Sequence, residues 1–210
     1  FVIRDGTVRW TSRDLGNSAA TSSLALAADG TVYLGLRDEA GLSEYPGGAL
    51  IAFSSTGTIR WAFAAYETDV RSSPAVAADG TIYFGTKGNN GYVYAVNPDG
   101  TLKWRYATWE DALCPCGVDV YTSPAIGADG TIYTANEFGY LYAFRPDGTI
   151  LWKDNTILAA NGGSNWSSPA IVSDGTLYIG KSYGAFIAIR TDSLGLSAAA
   201  QWPKFHRSLD

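Results

Sequence analysis

Methionine is absent from this sequence, histidine occurs once (His206), and cysteine occurs twice, as Cys114 and Cys116. A single imidazole limits acid–base chemistry, and no Ser or Cys nucleophile stands at a recognisable triad spacing from it. Zinc bound by the cysteine pair would need two further ligands, and His206 is the one imidazole available, so no metal site is expected. The pair reads instead as a loop-tightening disulfide in an oxidising compartment. Charged residues are scarce at 17%, with 15 Lys and Arg against 20 Asp and Glu, a net charge of −5. That balance argues against a nucleic-acid partner, which requires phosphate-neutralising cations. No apolar run approaches the ~20 residues of a membrane helix, so no membrane span is expected. Opening on Phe1 without methionine, the chain reads as a processed product or a fragment.

What is abundant points to strands. Hydrophobic residues make up 46% of the 210, enough to exclude disorder. Aromatics number 7 Trp, 13 Tyr and 8 Phe, a strand-favouring set, and 24 glycines imply many turns.

Repetition organises the rest. The phrase Ser72-Ser-Pro-Ala-Val-Ala-Ala-Asp-Gly-Thr-Ile-Tyr83 has counterparts at 22–33, 122–133 and 167–178. A second phrase, Gly91-Tyr-Val-Tyr-Ala-Val-Asn-Pro-Asp-Gly-Thr-Leu-Lys-Trp104, recurs at 139–152 and in degenerate form at 48–61. Its last copy starts at Gly184 and loses the tight turn after Arg190, and residues 1–10 are the tail of a further copy. Trp10, Trp61, Trp104, Trp152 and Trp202 thus mark the units.

Asp-Gly between apolar, β-branched runs signals a hairpin, expected here as a type I′ turn. Two such turns per unit make four strands, termed A (Ser-Pro-Ala-Ile), B, C and D (ending at Trp). A tandem four-stranded unit of this length is a propeller blade, which buries its faces only against neighbouring blades. The expected fold is therefore an all-β propeller of four-stranded antiparallel blades. About four blades and a half-blade are present, as part of a larger ring. Boundaries fall at 1–10 (half-blade), 11–66, 67–108, 109–156 and 157–210 (a degenerate last blade with a tail).

These phrases resemble the pyrroloquinoline-quinone (PQQ)-like propeller repeat. That repeat occurs in quinoprotein alcohol dehydrogenases and in the propeller lipoprotein of the outer-membrane barrel assembly machinery. The resemblance covers nearly the whole chain. It implies that the recurring tryptophans are docking residues packed between blades, with Trp202 the least regular. It also implies a secreted or periplasmic setting, and the ending Trp202-Pro-Lys-Phe-His-Arg207 resembles a tail of secreted members. The dehydrogenases' Asp base, Ca²⁺ ligands, Trp platform and adjacent cysteines have no residue-by-residue match, so no cofactor is expected; PQQ and Ca²⁺ belong only to the alternative reading.

Both Asp-Gly hairpins of a blade lie on one rim, so the variable B–C and D–A loops share the other. Loops on a rigid scaffold are the usual place for binding. The candidate ligand residues on that rim are Asp69, Arg71, Asp119, Tyr121 and Trp166 from the D–A side. Lys87, Asn136, Glu137 and Lys181 come from the B–C side. Asp29, Asp79, Asp129 and Asp174 read as turn formers rather than calcium ligands, with one carboxylate per turn.

The balance of these features favours a non-enzymatic scaffold that binds a protein or polysaccharide partner in an extracellular or periplasmic space. The alternatives are a fragment of a PQQ-dependent dehydrogenase and a glycan-binding propeller. An open arc would expose apolar faces. A longer chain is the favoured remedy, with two copies completing one ring, or tight closure of few blades, as the others.

Overall fold

The structure, a computed structural model, describes residues 3–4, 7–8, 10–11, 18–38, 48–65, 68–88, 91–111, 118–155, 167–180, 184 and 186–204. Strands β1 (Ile3–Arg4) and β2 (Thr7–Val8) form a short hairpin. Four antiparallel sheets follow in chain order. The first blade holds β3 (Ser18–Ala20), β4 (Ala25–Leu26), β5 (Val32–Asp38), β6 (Ala49–Phe53) and β7 (Ile59–Ala64). The second holds β8 (Thr68–Val70), β9 (Ala75–Val76), β10 (Ile82–Gly88), β11 (Tyr92–Val96) and β12 (Leu102–Ala107). The third holds β13 (Ala125–Ile126), β14 (Ile132–Ala135), β15 (Leu141–Phe144) and β16 (Ile150–Asp154). The fourth has three strands among the described residues: β17 (Ala170–Ile171), β18 (Thr176–Gly180) and β19 (Phe186–Arg190).

Hydrophobic clusters sit between blades. Tyr83, Val93 and Ala95 of the second blade pack on Ile126, Ile132, Tyr142 and Phe144 of the third. The equivalent residues Tyr133, Leu141 and Ala143 meet Ile171, Leu177 and Ile179 of the fourth. A two-faced sheet with both faces apolar has no other way to leave water.

Three tryptophans dock on the turn one blade ahead. Trp104 Nε1 donates to the Pro146 carbonyl at 2.9 Å, and its ring lies 5.5 Å from Phe144 and 5.8 Å from Tyr83. Trp61 does the same at Pro98 (2.8 Å) and Trp10 at Ser55 (3.0 Å). Glycine at the turn is required twice over. Gly148 has φ of 89°, and a Cβ there would stand 2.8 Å from the Trp104 ring.

The turns differ from the type I′ expectation. Asn97 N–H donates to the Thr101 carbonyl and Gly100 N–H to the Asn97 carbonyl, at 2.8 and 2.9 Å. The loop is therefore three residues long, Pro98-Asp99-Gly100, a β-turn followed by glycine in the left-handed region, which makes a G1 bulge. The Asp-Gly signal is the same for both hairpins; the pairing of Asn97 with Thr101 decides between them. The aspartate accepts from the threonine two residues on, as Asp29 Oδ1 does from Thr31 N–H at 2.9 Å.

Serines fasten the inner strand. In the first two blades that strand is broken at the Ser-Ser step, giving β3 and β4, then β8 and β9. The first hydroxyl bridges the gap: Ser72 Oγ accepts from Gly85 N–H at 2.6 Å and Ser22 Oγ from Gly35 N–H at 2.7 Å. The second hydroxyl links blades. Ser23 N–H donates to Ser73 Oγ, Ser73 N–H to Ser123 Oγ and Ser123 N–H to Ser168 Oγ, at 2.9–3.0 Å.

Residues 191–203 take a course of their own. Among the described residues they do not pair with β19 as an outer strand, and Trp202 packs against the cluster shared by the first and second blades. They cross the inner strands instead. Thr191 N–H donates to the Gly175 carbonyl, Ala128 N–H to the Gly195 carbonyl and Ile126 N–H to the Pro203 carbonyl. Trp202 exchanges two backbone bonds with Val76 (2.6 and 2.9 Å), and Gln201 Oε1 accepts from Ala28 N–H. This strap touches all four blades on the Asp-Gly rim. It diverges because no turn sequence follows Arg190 to fold it back along β19.

Two outcomes are expected. Trp104→Ala costs about 3 kcal/mol, the low end for an aromatic deletion because the ring is half-buried. Trp104→Phe, which keeps a ring and loses the N–H, costs about 1 kcal/mol. Urea midpoints check the order; equal losses would place the docking energy in the hydrogen bond.

Acid dependence follows from the turns. Hydrogen bonds from the Thr31 hydroxyl and amide hold the Asp29 carboxyl down from 3.8 to about 2. Asp99, Asp147 and Asp174 are lowered in the same manner by Thr101, Thr149 and Thr176. A depressed carboxylate contributes stability present above its unfolded value and lost as pH falls through the folded one. Melting temperature is therefore expected to drop between about pH 4 and pH 2. Asp29→Asn, which keeps an acceptor but takes no proton, is expected to flatten that drop slightly in calorimetric scans.

Candidate functional site

The rim opposite the Asp-Gly turns gathers six of the predicted residues between the second and third blades. Strand pairing sets the first contact, since Lys87 of β10 lies opposite Asp69 of β8. Arg71, two residues on, donates Nε–H to Asp69 Oδ2 at 3.1 Å. Segment 118–120 then runs alongside the end of β10. Val120 N–H donates to the Thr86 carbonyl and Gly88 N–H to Asp119 Oδ1, both at 2.9 Å. Small residues permit this approach: a Cβ on Gly85 would stand 2.3 Å from Val120 Cγ1, and one on Gly91 1.8 Å from the Val118 carbonyl. Glu137 N–H donates to the Asp119 carbonyl at 2.8 Å, and Lys87 Nζ lies over the Tyr121 ring, 5.7 Å from its centre.

The charges on this rim interleave. Burial raises the Asp69 carboxyl above its ordinary value, opposed by Arg71, Arg37 and Lys87. Burial also raises Glu137, reinforced by the Asp119 charge and opposed by Lys87. The Tyr121 phenol is pushed up by burial and by the Asp119 carboxylate beside it, so it stays protonated and acts as a hydrogen-bonding ring rather than a base. Asn136 is structural rather than mouth-lining: it is buried, its Nδ2 donates to the Tyr142 hydroxyl and its Oδ1 accepts from Tyr140 N–H.

Arg37 belongs to this group and was not among the residues singled out from the sequence. The signal was the repeat itself, because Arg37, Lys87 and Glu137 stand 50 residues apart, the first two near the ends of β5 and β10 and the third two residues past β14. Trp166 and Lys181, and with them Cys114, Cys116 and His206, lie outside the described residues.

These carboxylates do not suit the calcium of a quinone site. Asp69 is engaged by Arg71 and Asp119 by a main-chain amide. No group of three or more His, Cys, Asp or Glu able to hold a metal occurs among the described residues. What the arrangement offers is a fixed array of paired charges beside a phenol, which suits recognition. No helix among the described residues is long and apolar enough to cross a membrane.

Removing Arg71 deprives the Asp69 carboxylate of its hydrogen-bonded cation and leaves Arg37 and Lys87 to oppose burial. Arg71→Ala is expected to move the Asp69 pKa further upward in a ¹³C NMR titration. A raised carboxyl pKa contributes stability below the unfolded value and forfeits it as pH rises through the folded value. The variant's loss of melting temperature is therefore larger at pH 7 than at pH 3, and a pH-independent loss would mean that the pair is merely packed.

Comparison with known proteins places the chain. The family model described as outer membrane protein assembly factor BamB matches residues 1–205. No curated protein sequence matches it. Among solved structures, BamB from Moraxella catarrhalis is 20% identical with a TM-score of 0.59, over 81% of this chain and 49% of that one. The computationally designed Ika4 protein is 14% identical with a TM-score of 0.63, over 88% of this chain and 98% of that one. The Dos1 propeller is 11% identical with a TM-score of 0.59, over 85% and 42%. The chain thus spans about half the length of the Moraxella protein.

Proposed function

Since the chain belongs to the BamB family of outer membrane protein assembly factors, we propose that it is a non-enzymatic propeller scaffold that holds a protein partner of outer-membrane assembly, in the periplasm. The partner binds the rim of variable loops. The carrying observation is the difference between the two mouths of the arc. On the Asp-Gly rim the strap of residues 191–203 lies across the inner strands of the blades. On the opposite rim stand Arg37, Asp69, Arg71, Lys87, Asp119, Tyr121 and Glu137, held by strand register and main-chain bonds rather than by long loops. Such pre-set charges of both signs favour a polypeptide that carries both signs, because each rim charge finds a counterpart without large rearrangement. A polysaccharide is favoured less. Sugars stack on open aromatic faces, and the Tyr121 ring is already faced by Lys87.

Site-specific photo-crosslinking tests this reading. A benzophenone side chain at Tyr121 is expected to capture an outer-membrane assembly component in the cell envelope, and one at Thr149, on the opposite rim, is not. Reversing Arg71 and Lys87 to Glu is expected to lower the capture about tenfold, as mutated rim charges slow association. Equal capture at both positions, or capture only at Thr149, would refute the assignment.

A further inference from the structure

Each blade's inner strand has an edge turned away from its second strand, and the four edges are not alike. The equivalent residues on them are Leu26, Val76, Ile126 and Ile171. Register shows where their main-chain groups go. Leu26 lies opposite Val32 as Val76 lies opposite Ile82, and the next residues, Ala27 and Ala77, donate to the Thr31 and Thr81 carbonyls across the turn. The N–H and C=O of Leu26 and Val76 therefore point away from β5 and β10. The strap of residues 191–203 uses two of the four positions. Val76 exchanges both groups with Trp202, at 2.6 and 2.9 Å. Ile126 N–H donates to the Pro203 carbonyl and its carbonyl accepts from Ser197 N–H, at 2.8 and 2.9 Å. Leu26 and Ile171 make no such bond among the described residues.

Proline separates the two edges that remain. The position two residues earlier is Pro74, Pro124 and Pro169 in the second, third and fourth blades, and Leu24 in the first. Proline has no N–H to donate and keeps a further strand from pairing, an ordinary protection of a sheet edge. The fourth blade has that protection at Pro169. The first blade has neither proline nor strap, and it carries N–H groups at both Leu24 and Leu26, one strand repeat apart. A groove of about 360 Å³ lies alongside. Residues 26–28 and Gly30 of the first blade form one wall and residues 200–202 of the strap the other, and none of them is charged. Gln201 ties the two walls together, its Oε1 accepting from Ala28 N–H at 2.9 Å.

We infer that the Leu24–Leu26 edge is a second binding site, which takes an extended, uncharged peptide segment of a protein partner by strand addition. The strap supplies the pattern. Trp202, between Gln201 and Pro203, is an uncharged extended stretch held on the equivalent edge by a pair of main-chain bonds. Main-chain bonds of this kind give affinity, and the groove beside them gives selectivity. A charged side chain entering it would lose water without meeting a counter-charge. The chemistry is the opposite of that on the variable rim, where fixed charges of both signs do the recognising.

The probe is a synthetic peptide with the sequence of residues 197–203, Ser-Ala-Ala-Ala-Gln-Trp-Pro, acetylated and amidated so that it carries no charge. Titrated into the ¹⁵N-labelled protein, it is expected to shift the Leu24 and Leu26 amide signals and slow their hydrogen exchange, with a dissociation constant below about 1 mM. Leu24→Pro is expected to weaken binding about tenfold, the equivalent of one hydrogen bond. Proline is the residue that the other three blades carry there, so this variant is expected to fold with an undiminished melting temperature. Leu24→Val, which keeps the N–H, is expected to bind as the parent does. Leu24 and Leu26 amides already protected before peptide is added, no binding by the parent, or equal binding by Leu24→Pro and Leu24→Val would each overturn the inference. Shifts at Val76 and Ile126 in place of Leu24 and Leu26 would do the same, since the peptide would then have replaced the strap. The residues of the charged rim take no part in this titration, so the partner proposed there stands or falls separately.

Discussion

Everything in this fold depends on apolar surface that no blade can bury alone. Each sheet has two apolar faces and few residues with which to cover either. The clusters linking Tyr83, Val93 and Ala95 to Ile132 and Phe144 are therefore the core, divided among the junctions. Secondary features serve that contact. The turn glycines at Gly100 and Gly148 leave room for an indole, and the B-strand glycines at Gly35 and Gly85 leave room for Val70 and Val120 of the following blade. The serine links then fix the inner edge, one hydroxyl closing the blade and the next reaching its neighbour.

The rim inherits its geometry from the same junctions. Asp119 meets Gly88 because the third blade packs tightly enough for the segment before Tyr121 to lie along β10. The charged network thus spans two blades without a long loop of its own. Burial at the junction moves Asp69 and Glu137 upward and makes their basic neighbours matter, so the electrostatics of the rim and the packing of the core are one arrangement. A scaffold of this type gains little from flexible recognition, since Asp119 is tied to a main-chain amide of the neighbouring blade and Asp69 to Arg71.

Much of the fold was legible because the repeat writes the same physics several times. Asp-Gly-Thr marks a hairpin, and a Trp before each return marks a junction; Trp61 and Trp104 occupy places that such a pattern demands. The turn type was not legible. Both two- and three-residue hairpins tolerate Asp-Gly, and the pairing of Asn97 with Thr101 is a property of strand register. The break between β8 and β9 was also hidden, because Ser72-Ser73-Pro74 reads as strand entry and its bridging hydroxyl is visible only with Gly85 in place. At the rim the residue types were readable, Arg37 included through its repeat spacing from Lys87, but their mutual contacts arise between blades, and the pull of Arg37 on Asp69 is one of them.

The strap shows how local sequence and burial decide between two uses of one segment. Folding back as an outer strand beside β19 would have given residues 191–203 one partner strand and an indole with no following turn to cap it. Crossing the inner strands costs the order of about a dozen residues, at ~1–2 kcal/mol each for the backbone. It is offset by backbone bonds to Val76 and Ile126 on short inner strands and to Ala128 in the third blade's turn, and by packing Trp202 against the first core cluster. The Thr-Asp-Ser run at 191–193 supports the departure, with Thr191 on the Gly175 carbonyl and Ser193 on the Asp129 carboxylate. The bond from Ser193 takes the place that Arg60 and Lys103 fill in the first two blades, where each cation reaches the aspartate of its own blade's turn. In the third blade that position is Leu151, which cannot reach an aspartate as a cation does, so Asp129 is left for the strap. The same course that lays the segment across the Asp-Gly rim leaves β19 paired, among the described residues, with β18 alone.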